Sequence, residues 1–94
     1  MTAADNLSIA DALDEIADLL EAQAADAFRL RAYRSAAENV RRSASALSDL
    51  EAQGGMAAPE KLPGIGHSIA SLIAERLHTG RIALLERLRG QVSP

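Results

Sequence analysis

The sequence predicts an all-α domain, a compact bundle of four to five short helices, and three observations carry that reading. Apolar residues recur three and four positions apart along most of the chain, the spacing of one helical face. Phe28 and Tyr33 are the only aromatic residues, so burial rests on Leu, Ile and Ala, a composition suited to closely packed helices. At 94 residues the chain is one domain, 1–94, with a single small core.

The first helix is expected at about residues 8–24, with Ser8 as its cap and Ile9, Leu13, Ile16 and Leu20 along one face. Its acidic residues crowd the opposite face, which reads as solvated. A second helix, about 27–44, has Ala32, Tyr33, Ala36, Ala37, Val40 and Ala44 as its apolar arc. Arg31, Arg34, Arg41 and Arg42 share an opposing arc roughly 100° wide, either a phosphate-facing stripe or a solvated face. Arg29 breaks the pattern, because it projects on the side of Tyr33 where an apolar residue is due. It either binds phosphate, bends outward or pairs with Asp26. Tyr33 is either a core aromatic with its hydroxyl at the surface or a phosphate or stacking contact.

A short helix at about 45–53 passes through Leu47 and Leu50 and ends at Gly54-Gly55. Met56 to Lys61 is expected as another short helix, with Pro59 tolerated in its first turn. The next helix spans about 66–79 and stops at Gly80, and the last, about 81–89, packs Ile82, Leu85 and Leu88.

Between the third-from-last and second-from-last helices lies the run Lys61-Leu62-Pro63-Gly64-Ile65-Gly66-His67-Ser68-Ile69-Ala70. Pro63 cannot continue a helix, Gly64 and Gly66 allow turn conformations that a Cβ disfavours, and helical spacing resumes at Ile69, Ile73 and Leu77. Small Ala70 sits where crossing helices must approach closely. The pattern is that of a helix-hairpin-helix motif, with a plain tight turn between two packed helices as the alternative. The motif delivers bare amides and a positive dipole end to a helix N-terminus, which bind phosphate whatever the base.

Net charge is −3, but it is divided unevenly: residues 1–26 hold seven acids and no base, and residues 27–94 hold all ten bases with six acids. There is no cysteine for a disulfide or thiolate metal site, and the two histidines lack a zinc partner set. No stretch approaches the roughly 20 apolar residues of a membrane span, and the N-terminal region lacks the pattern of a signal peptide. The expectations are a cytoplasmic location and no membrane partner.

With these blocks in place, the chain resembles the N-terminal domain of family X DNA polymerases, the domain that precedes the catalytic palm in polymerase beta and its bacterial relatives. The resemblance rests on Glu15-Ile16-Ala17-Asp18-Leu19-Leu20-Glu21, on Ala27-Phe28-Arg29-Leu30-Arg31-Ala32-Tyr33-Arg34-Ser35-Ala36-Ala37, on Leu62 to Ala70, and on Leu77-His78-Thr79-Gly80-Arg81. It implies binding at the 5′-phosphate side of gapped or nicked duplex, with Arg29 and Tyr33 in a phosphate pocket and Gly64, Gly66, His67 and Ser68 at the hairpin. Arg34, Lys61 and Ile65 complete the expected DNA-binding set. It further implies a Na+ or K+ ion held by the backbone carbonyls of Glu60, Leu62 and Ile65, with no other cofactor required. Many relatives are lyases that use a lysine as nucleophile; that position here is Leu72, and another basic position of the pocket is Ser68. The only lysine is Lys61, and arginine stays protonated, so no enzyme activity is expected.

The expected function is therefore a sequence-independent DNA-binding domain for gapped, nicked or 5′-phosphate ends, serving DNA repair. Its partners would be gapped or 5′-phosphorylated duplex and a repair protein. Two alternatives stand beside it: an interaction module whose acidic first helix docks a basic partner, and the DNA-binding part of a longer polymerase.

Overall fold

The computed structural model describes residues 2–91, and side chains from 5 to 90. Five α-helices and one 3₁₀ turn follow in order: α1 (Thr2–Ala22), α2 (Ala27–Arg42), α3 (Leu47–Gly54), the 3₁₀ turn Ala58–Lys61, α4 (His67–Thr79) and α5 (Ala83–Gln91). The described residues contain no strand. The all-α bundle expected from the sequence is the fold observed.

Helices α1 and α2 form an antiparallel pair and the main packing interface. Ile9, Leu13, Ile16 and Leu20 are buried as their spacing predicts, joined by Ala10 and Ala17, whose small side chains let α2 approach. Tyr33, Ala36, Ala37 and Val40 answer from α2. Ile65, Ile69, Ala70 and Ile73 bring the hairpin onto this core, and Ile82, Leu85 and Leu88 close it from α5.

Helix α1 begins well before Ser8, so Ser8 is not its cap; the Ser8 hydroxyl accepts a hydrogen bond from Arg76 Nη2 at 3.0 Å. The extra N-terminal turn is anchored by Asn6, which is 3 % exposed and carries no apolar signal. Asn6 Nδ2 donates to the Ser45 carbonyl at 2.9 Å, and Asn6 Oδ1 accepts from the Leu47 amide at 2.9 Å. Ala46 offers α3 no capping side chain, so Asn6 supplies the missing acceptor from another helix. Asn6→Ala strands the buried Leu47 amide, whereas the exposed Ser45 carbonyl keeps its bond from the Ser43 hydroxyl, and the change is expected to cost about 1–3 kcal/mol, read as a lowered midpoint in urea unfolding.

Helix α1 also ends before the expected position. The Ala25 amide reaches back to the Leu20 carbonyl at 3.0 Å while Ala24 takes φ 58°, a helix stop usually made with glycine. Helix α2 ends at Arg42 with Ser43 as its cap, which leaves Ala44 exposed instead of in the apolar arc. The segment before the hairpin is a 3₁₀ turn, shorter than the helix expected over Met56 to Lys61. Gly55 takes φ 87° there, and Pro59, buried in the first turn, limits the room for a full α-turn.

Candidate nucleic-acid interface

Helix α2 opens with Asp26, whose carboxylate accepts from the Phe28 amide at 2.8 Å and so caps the helix. That carboxylate is not paired with Arg29. The Arg29 guanidinium is exposed and makes no ion pair or hydrogen bond among the described residues. One turn on, Tyr33 is only 6 % exposed, its ring in the core and its edge at the surface. Both residues face the hairpin across an open cleft of about 330 Å³ whose other lining residues are Ala32, Gly64, Gly66, His67, Ser68 and Ile69. No carboxylate lines it.

The two hairpin glycines do different work. Gly64 takes φ 75°, and a Cβ there would lie 2.7 Å from Asn39 Nδ2 and 3.1 Å from Ser35 Oγ of α2. It seats the hairpin against α2 by close approach. Gly66, at φ −87° and ψ −178°, is in an ordinary extended conformation, which corrects the expectation of a turn forbidden to other residues. A Cβ at Gly66 would meet nothing within 4 Å. The absence of a side chain there leaves the approach to α4 open.

Gly66 caps α4 without a side-chain hydrogen bond, and the first amide to find a partner is that of Ala70, which donates to the Gly66 carbonyl at 2.9 Å. The amides of His67, Ser68 and Ile69 accordingly have no intrachain acceptor among the described residues. Their residues line the cleft at the positive end of the α4 dipole, about half an elementary charge. His67 Nδ1 lies 3.2 Å from Glu60 Oε2, bridging the two sides of the hairpin. Ile65 turns its side chain into the core, 4 % exposed, and has only backbone to offer a ligand. Lys61 is exposed beside the hairpin and does not line the cleft.

The arginine stripe of α2 faces largely elsewhere. Arg34 Nη2 contacts Asp18 at 3.0 Å and Glu21 at 3.3 Å, and Arg41 contacts Asp11 and Asp14, both at 2.7 Å. Arg42 pairs with Glu38 on its own helix. The acidic face of α1 is thus a counter-charge rail for α2, and Arg34 lies outside the cleft. Those carboxylates raise the Arg34 and Arg41 pKa values above that of a free guanidinium. Arg29 and Arg31, which lie where α1 gives no carboxylate, stay without an ionic partner among the described residues.

A similar bridge ties α5 to α1: Arg89 Nε and Nη2 each donate to Glu15 at 2.6 Å. This hydrogen bonding holds the Glu15 carboxyl below its ordinary pKa of 4.5. A depressed carboxyl stabilises the fold above its unfolded pKa and loses that contribution as pH falls through the folded value. The pair is partly exposed, so the expected effect is small, below about 1 kcal/mol. Glu15→Gln should remove it at neutral pH and leave the variant and wild type equally stable in strong acid, as thermal melts across pH will read.

Phe28 escaped the sequence reading. It is 77 % exposed at the first turn of α2, one turn before Ala32 of the cleft lining. A helical projection holds the signal, since it puts Phe28 roughly 130° from the centre of the buried arc.

Two helical segments joined by a glycine-bearing hairpin, with free amides at the start of the second, define the helix-hairpin-helix class. The family model for a helix-hairpin-helix domain matches residues 4–82, and the chain belongs to that family. Comparison with curated proteins and with solved structures gave no match. Helix-hairpin-helix domains commonly bind DNA without sequence preference. Among the described residues no helix is long and apolar enough to cross a membrane, and no cluster of His, Cys, Asp and Glu could hold a metal ion.

The carbonyls expected to hold a monovalent cation belong to the hairpin turn. Those of Glu60 and Ile65 accept no backbone hydrogen bond among the described residues, and that of Leu62 accepts one of 3.3 Å from the Ile65 amide. Free oxygen lone pairs fit a hard cation such as Na+ or K+.

Proposed function

We propose that this protein is a sequence-independent DNA-binding domain that recognises gapped, nicked or 5′-phosphorylated ends and serves DNA repair, as the N-terminal domain of a family X polymerase does. The observation that carries the reading is the convergence of an unpaired Arg29 with the uncapped N-terminus of α4 on one carboxylate-free cleft. A terminal phosphate carries more charge than a bridging one and takes hydrogen bonds on more oxygens, so a guanidinium fork opposite three amides favours the end over the continuous backbone. Phe28 supplies an exposed ring on which the unpaired base beside the gap stacks. A Na+ or K+ ion on the Glu60, Leu62 and Ile65 carbonyls adds positive charge for an adjacent strand.

Fluorescence anisotropy tests this on a short gapped duplex, with and without the 5′-phosphate, at two salt concentrations. Binding that weakens with salt and strengthens with the phosphate supports the proposal, and equal affinity for intact and gapped duplex overturns it. The docking of a basic partner on α1 has less support, since Asp11, Asp14, Glu15, Asp18 and Glu21 are already committed to arginines.

The domain is proposed to act by binding, without lyase chemistry. Leu72 at the position of the family nucleophile packs against the core, and Lys61 lies outside the cleft. The N-terminal amine, the other primary amine besides Lys61 able to form a Schiff base, lies outside the described residues. Borohydride trapping on abasic DNA is expected to give no covalent adduct, and an adduct at Lys61 would show that the reading is wrong.

A further inference from the structure

A second groove, about 330 Å³, runs along the flank of α4 and is walled by Met56 and Ala57 from the loop before the 3₁₀ turn. Between His67 and His78 it follows about 16 Å of helix, or three turns. Ala70 and Ala74, 2 % and 3 % exposed, form its floor and are too short to fill it. Met56 stands beside it 62 % exposed, a flexible thioether side chain left on the surface of a domain that buries most of its aliphatic residues.

The groove is lined by carboxylates and not by fixed cations. Glu60 and Glu75 line it together with the two histidines, and no lysine or arginine does. Glu51 of α3 adds a third carboxylate next to His78, 2.5 Å from its Nε2. One oxygen of Glu75 accepts the Ala83 amide at 2.9 Å and the other remains for a partner. The DNA cleft shares His67 with this groove and no other lining residue, and has Arg29 with no carboxylate. Two adjoining surfaces of α4 therefore differ in sign: one suits a polyanion, and the other repels it.

We propose that the α4 flank docks an amphipathic helix of a partner protein, with its apolar anchors over Ala70 and Ala74 and its lysines or arginines against Glu60 and Glu75. An alanine floor lets two helices approach closely, and anchors spaced i, i+4, i+7 span the available three turns. The acidic rim selects a basic helix and sets its direction more than it adds affinity. This docking does not rest on the DNA-binding reading.

The probe is a synthetic Leu/Lys amphipathic helix titrated into the full chain labelled with 15N and 13C-methyl methionine, with a Leu/Glu counterpart and a gapped duplex as comparisons. Saturable shifts at the Met56 methyl and at the Ser71 and Glu75 amides are expected with the Leu/Lys helix alone. Ala74→Leu fills the groove and should weaken the peptide more than about tenfold, and so should Met56→Ser, a surface exchange that leaves the core untouched. The proposal is overturned if shifts spread over the acids of α1 instead, if the Leu/Glu helix or DNA moves Met56 equally, or if Met56 shifts with protein concentration alone, which assigns the groove to a second copy. DNA binding lost while peptide shifts persist sinks only the earlier reading; the reverse sinks only this one.

Discussion

Gly64→Ala is expected to destabilise the fold by about 2–3 kcal/mol, whereas Gly66→Asp leaves the fold intact and abolishes most of the DNA affinity. The difference comes from the backbone. At φ 75°, Gly64 holds a left-handed conformation that costs an L-residue about 1–2 kcal/mol, and its new Cβ must also displace the half-buried Asn39 amide 2.7 Å away. For a domain of this size the melting temperature should fall by roughly 10 °C. At Gly66 the backbone is extended and the space in front is empty. Asp is a good helix cap there, so its carboxylate takes an α4 amide that now has no partner, and stability holds or rises slightly. The same carboxylate puts a negative charge where a phosphate is to bind, and affinity for gapped duplex should drop more than about tenfold. A Gly66→Asp protein that melts like wild type and still binds DNA fully would remove the α4 amides from the interface.

Arg29→Ala is the second large effect. A charge-assisted hydrogen bond to phosphate is worth about 1.5–3 kcal/mol, so affinity for the 5′-phosphorylated gap should fall about ten- to hundredfold and the salt dependence should lose about one phosphate contact. The preference for a phosphorylated over an unphosphorylated gap should shrink as well, because Arg29 is the guanidinium at the cleft. Arg34→Ala is the informative comparison. Its charge is already answered by Asp18 and Glu21 on an exposed surface, so its removal should cost little stability and change DNA binding little. Equal losses for the two variants, measured by anisotropy at two salt concentrations, would restore the whole α2 stripe as the contact surface and displace the cleft.

The outline of this molecule was legible in its residues. Ile9, Leu13, Ile16 and Leu20 announce the buried face of α1 by spacing alone, and Gly80 stops α4 in the left-handed conformation that glycine favours. Arg29 was visible as a charge on the wrong face, because a helical projection needs only the order of residues. The start of α1 was not legible. Asn6 holds it through Ser45 and Leu47, some forty positions away, and no local pattern encodes a partner at that distance.

By itself, then, the sequence determined the local choices: which stretches coil, where they break, and which faces are apolar. These follow from backbone sterics and side-chain period within a few residues. Tertiary structure decided which charges are available. Four arginines on one arc of α2 look equivalent in order, but packing lays the acids of α1 against Arg34 and Arg41 and leaves Arg29, off that arc, opposite the bare amides of α4. Coulomb attraction depends on distance through space, and only the folded chain sets that distance.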